Sequence, residues 1–102
     1  MALTNVLVAN TNTTIYTSVG NNAITAMIVC NYGATTSNLT VYAVPNGGSA
    51  GNLTTIVYQL PIVAGETLSL DQEKLVLGNG DAIIAIASVT SMLTFTLSTL
   101  AV

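Results

Sequence analysis

The sequence predicts an all-β protein: a single two-sheet β-sandwich or jelly-roll-like domain of about eight short antiparallel strands over residues 1–102. Three observations predict it. Apolar residues recur with a period of two, and no stretch shows a clear period of 3.6. Turn signals built from Asn, Gly, Pro and Ser separate these runs at short, even spacing. Half of the residues are apolar (51%), mostly Ala, Val, Ile and Leu, and Thr and Asn dominate the rest. Branched residues and Thr fit a pleated, half-buried surface, while Asn and Gly supply turns.

LTNVLVA (residues 3–9) and TTIYTS (13–18) read as strands parted by the turn NTN. AITAMIVCNY (23–32) is apolar almost throughout, which predicts a central strand covered on both faces by a second sheet or a neighbouring subunit. Cys30, the only cysteine, lies in this run and is expected as a small buried side chain with no disulfide partner. SNLTVYAV (37–44) sets Leu39, Val41 and Ala43 against Thr40 and Tyr42.

The Gly-rich loop PNGGSAGN (45–52) follows and is expected to join two antiparallel strands. LTTIVYQL (53–60), ETLSL (66–70) and KLVL (74–77) are weaker strands. DQEK has room for one helical turn. GNGD (78–81) then predicts a tight hairpin from KLVL into DAIIAIAS (81–88), another candidate central strand. MLTFTLSTL (92–100) alternates most clearly, with Leu93, Phe95 and Leu97 on one face and Thr94, Thr96 and Ser98 on the other.

Charge is the outlier. The chain has four acidic residues and one Lys, a net charge of −3, and no His. All five charged residues, Glu66, Asp71, Glu73, Lys74 and Asp81, fall between positions 66 and 81. Disordered chains pair high charge with low apolar content, the reverse of this composition. Neutral polar surfaces repel one another weakly, so the composition predicts life in an assembly. Few charges guard the strand edges, which predicts a homo-oligomer. The charged stretch is expected to mark one wet end of the sandwich while much of the neutral remainder faces other subunits.

Several functions are disfavoured. One Lys and no Arg leave no groove for tracking phosphates, so nucleic-acid binding is not expected. An anionic membrane surface is equally poorly served. The apolar stretches are far shorter than the ~20 residues of a membrane-spanning helix, and a barrel would need girdles of aromatics. Residues 1–20 lack the basic start and apolar stretch of a signal peptide. Without His there is no imidazole base and no ordinary zinc cluster. The Ser and Thr hydroxyls lack an activating partner. Asp71, Glu73 and Asp81 can in principle share Ca²⁺, but the ordered acidic loop of a dedicated site is missing. Neither an enzyme nor a cofactor is therefore expected. Tyr32, Tyr42 and Tyr58, with the many Asn, offer a second reading, a glycan-binding patch.

Two long segments carry a family resemblance. TTIYTSVGNNAITAMIVCNYGATTSNLTVYAVPNGG and IVYQLPIVAGETLSLDQEKLVLGNGDAIIAIAS resemble, in the order of their pieces, small virion proteins of tailed bacteriophages. The pieces are the Tyr-Thr strand, the Cys-Asn strand end, VYAVP with its Gly-rich loop, the Leu-Pro-Ile turn, AGETL, and LGNGD. The resemblance spans roughly residues 13–98. It implies a non-enzymatic β-sandwich on the virion, as capsid decoration (a cement protein) or as a neck or tail accessory. Its partners would be other virion proteins and its own copies; trimers are common in that group. The alternative is a glycan- or host-surface-binding module of a tail fibre. Candidate interface residues are Tyr42 and Tyr58, Asn46, Gly47 and Gly48 of the Gly-rich loop, and the charged Glu66, Asp71, Glu73, Lys74 and Asp81.

Overall fold

Alternation in the sequence becomes pairing in two antiparallel sheets. The structure, a computed structural model, describes residues 2–69, 75–89 and 92–102. Nine strands follow in order: β1 (Ala2–Val8), β2 (Thr13–Thr17), β3 (Asn22–Asn31), β4 (Ser37–Val44), β5 (Thr55–Ile62), β6 (Thr67–Ser69), β7 (Leu75–Leu77), β8 (Ala82–Ala87) and β9 (Leu93–Ala101). A short 3-10 turn, Asn52–Thr54, precedes β5. One sheet has the order β1-β9-β3-β6, with β7 also on β3; the other has the order β2-β8-β4-β5.

The pairings are nested. β4 pairs with β5, β3 with β6 and β7, β2 with β8, and β1 with β9. The chain is thus one long hairpin folded about the 45–54 loop. Rolling it up adds the β3·β9 and β4·β8 pairs. This is the jelly roll the sequence predicts. β6 and β7 lie along the same edge of β3, against Ile28–Cys30 and Asn22–Ile24 respectively. They share one strand position, which reconciles nine segments with an eight-position fold.

Side-chain alternation sets the core between the sheets. Leu93, Phe95 and Leu97 of β9 are fully buried and face Leu39 and Val41 of β4 and Ile83, Ala85 and Ala87 of β8. Ile24, Met27 and Val29 line the same core from β3. The single Phe is 0% exposed, so the largest buried ring sits at the centre of the sandwich.

Two expectations need correction. The GNGD turn is present, closed by Asp81 N–H donating to Gly78 O at 3.1 Å. It carries the chain from β7 in one sheet to β8 in the other, so it is an arch between sheets and not a hairpin. Cys30 is half-buried on the outer face, because it alternates with the core residue Val29. β3 and β8 are central, as expected; the opposite sheet covers one face of each, and on the other face of the single chain Ile28 is exposed and Ile84 and Ile86 are half-buried. The proposed DQEK turn lies outside the described residues.

β5 is the irregular strand. As the edge of its sheet it accommodates Pro61, which a central strand would not. Its register against β4 shifts twice, between Leu39 and Val41 and again between Val41 and Tyr42. At the first bulge Gln59 takes φ 47°, the left-handed region.

Candidate functional site

Loops gather at the two ends of the sandwich. One end collects the 18–21, 45–54 and 78–81 loops; the other collects the 9–12, 32–36 and 63–66 loops together with Ser88, Val89 and Met92. At the first end the PNGG turn closes through Gly48 N–H donating to Pro45 O at 2.8 Å, with Gly47 at φ 82°. Asp81 ties this turn to its neighbours. Its Oδ1 accepts from the Asn46 N–H and its Oδ2 from the Gly78 N–H, both at 2.8 Å. Its main-chain oxygen accepts from the Ser18 N–H. Gly80, at φ 87°, packs against the Asn46 side chain so closely that a Cβ would overlap it. Asn46, Gly47, Gly48 and Asp81 therefore form one cluster, and Asp81 acts within it as a loop tie.

Glu66 is at the opposite end, a full length of β3 away. Its N–H donates to Val63 O, its carbonyl accepts from the Asn31 N–H, and its Oε1 accepts from the Val63 N–H at 3.3 Å. The charged stretch therefore does not ring one end: β6 and β7 carry the chain along the sandwich between Glu66 and Asp81. Asp71, Glu73 and Lys74 lie outside the described residues. Tyr42 is half-buried on the outer face of the β2-β8-β4-β5 sheet, and Tyr58 is 67% exposed on the β5 edge. The three Tyr of the glycan-patch reading sit on a loop, a sheet face and a sheet edge, Tyr42 and Tyr58 on the neighbouring strands β4 and β5.

Sequence reasoning missed the residue that organises the second end. Asn31 is fully buried. Its Nδ2 donates to Thr35 O at 2.9 Å and Ile62 O at 2.8 Å, and its Oδ1 accepts from the Gly33 N–H at 2.9 Å. Its carbonyl also accepts from the Gly65 N–H. One amide thus joins three segments. The sequence signal is an Asn at a strand end, the first residue of NYGATTSN, which an ordinary turn explains equally well.

The polar groove of the molecule lies elsewhere. On the outer face of the β2-β8-β4-β5 sheet, near the second end, Asn10, Asn38, Thr40, Gln59, Ile86 and Ser88 line a depression of about 270 Å³. Thr40 Oγ1 accepts the Gln59 N–H at 3.0 Å, and Ser88 Oγ accepts the Asn38 N–H at 2.8 Å. Bulging at Gln59 brings this side chain to the groove. Sequence alone shows no bulge, so these residues were not singled out together.

Among the described residues, the other face of the sandwich, on the β1-β9-β3 strands, carries no charge. The outward residues of the β1-β9-β3 sheet include Thr94, Thr96, Ser98, Ala23 and Ala26, with exposed Leu3, Leu7, Ile28, Val76 and Leu100 among them. Val76, Ala23 and Leu100 make one row across three strands. β1 is the edge, paired through seven consecutive residues without a bulge. It has no Pro and no charged side chain.

Among the described residues, no three His, Cys, Asp or Glu side chains come together, and no helix is long and apolar enough to cross a membrane. The arrangement defines a jelly roll with a neutral sheet face and one amide-lined groove. No family model matches the chain, and no curated protein or solved structure does either.

Proposed function

We propose that this chain is a non-enzymatic structural protein of a tailed-phage virion, present in many copies as a capsid-decorating, neck or tail accessory component. The supporting observation is the straight, unguarded β1 edge beside a sheet face that is uncharged among the described residues. Edge strands of soluble monomers are normally blunted by Lys, Pro or bulges. β5 has that protection, through Pro61 and two register shifts, and β1 does not.

The occupant proposed for this edge is a second copy of the chain. Antiparallel pairing of β1 with itself about Asn5 sets Leu3 of one copy opposite Leu7 of the other, twice, on the outer face. Cross-strand apolar pairs of this kind stabilise by ~0.2–1 kcal/mol each. The family resemblance in the sequence supports the virion as the setting. Cryo-EM or cross-linking of purified particles tests it: the protein is expected on the particle surface at high copy number, and its absence from the particle refutes the assignment. Native mass spectrometry tests self-association: an oligomer is expected, and a wild-type chain that stays monomeric at micromolar concentration refutes it.

A further inference from the structure

We infer that the groove formed by Asn10, Asn38, Thr40, Gln59, Ile86 and Ser88 is a binding site for a neutral saccharide. Its chemistry defines the ligand class. The groove contains amides, hydroxyls and one half-buried aliphatic side chain, and no charged group. The side-chain amides of Asn10, Asn38 and Gln59 make no hydrogen bond to another described residue. A carboxamide offers two donors and a two-lone-pair acceptor, which matches the paired donor and acceptor character of vicinal hydroxyls. Ile86 supplies an apolar floor for the C–H face of a sugar ring. Anionic ligands find no cation there. At about 270 Å³ the groove is slightly smaller than drug-sized pockets, which suits one or two sugar rings.

The backbone gives the second argument. Gln59 holds φ 47°, where residues other than Gly, Asn and Asp are uncommon. Edge protection explains a bulge in β5 but not Gln at its left-handed position, since Gly would make the same bulge without strain. The hydrogen bond that holds the bulge uses the Gln59 main-chain N–H, not its side chain. The amide is thus left unengaged at the groove by a conformation that its residue type disfavours. Strained residues of this kind concentrate at binding sites. Tyr42, two positions along β4 from Thr40 on the same face, flanks the groove without lining it.

The inference is independent of the virion assignment and of self-association, because it concerns the opposite sheet and is tested on the isolated chain. The ¹⁵N-labelled full chain is titrated with free glucose, galactose, mannose and N-acetylglucosamine, and the side-chain amide signals are followed by NMR. At least one sugar is expected to shift the Asn10, Asn38 and Gln59 side-chain signals together, with a millimolar dissociation constant. Gln59→Gly is expected to weaken that sugar at least about tenfold, or 1.4 kcal/mol, while the melting temperature stays the same or rises. Asn38→Ala is expected to weaken it as well. No shift with any of the four sugars, shifts confined to other surfaces, or undiminished binding by Gln59→Gly each overturns the inference.

Discussion

Asn31 and Asp81 show what single polar residues contribute in a chain with so little charge. Each satisfies backbone groups at one end of the sandwich that would otherwise lack partners. Asn31→Ala removes three side-chain hydrogen bonds at a fully buried position. A net ~1 kcal/mol per bond gives a loss of about 3 kcal/mol, read as a lower urea midpoint. Asp81→Ala releases two turn amides at a partly exposed site, and a loss of about 2 kcal/mol is expected by the same measurement. Gln59→Gly runs the other way. Relief of ~1–2 kcal/mol of left-handed strain is offset by the added chain entropy of Gly, leaving a gain of up to ~1 kcal/mol. All three roles were hidden in the sequence for one reason: an Asn, Asp or Gln near a turn looks the same whether its side chain faces water or bridges distant loops.

At the scale of elements, legibility followed periodicity. β9 alternates in burial from Leu93 to Thr99 and β4 alternates more loosely, and the predicted limits of both hold to within one residue at each end. β5 was truncated because Pro61 reads as a stop, although an edge strand can continue through it. GNGD was legible as a turn but not as an arch, since turn chemistry is local while the choice of sheet depends on β3 and β4, dozens of residues earlier. The charged stretch misled for a related reason. Neighbours in sequence are not neighbours in space here: two strands along the length of the sandwich separate Glu66 from Asp81. The open edge of β1 yields its own prediction. Leu3→Lys with Leu7→Lys changes two exposed side chains, so monomer stability should move by no more than ~0.5 kcal/mol. In the self-paired arrangement the same change sets Lys opposite Lys, and native mass spectrometry should show the oligomer lost. An oligomer that survives this double change is held by another surface.

For the whole molecule, the fold class and the likeness of most strands to their sequence patterns were readable because burial alternates so regularly. The grooved face and the neutral face were not, because both are built from the same Thr, Asn, Ile and Ala. What separates them is geometry: a bulged strand on one side and a straight one on the other. This asymmetry leaves one face grooved and polar and the other flat and, among the described residues, neutral.

The nested pairing also imposes an order in time. Loop closure costs grow with the length of chain enclosed, so β4·β5, joined by the 45–54 loop, should form before β1·β9, whose register joins Ala2 to Thr99. Pulse-labelling hydrogen exchange should find β4 and β5 amides protected early and β1 amides protected last. Until that final step the flank of β9 stands open, and any free β1 can occupy it, including one from a neighbouring chain. The last strand to fold is thus the one most readily exchanged, and in the proposed virion setting a crowded nascent particle would offer many copies with which to exchange it.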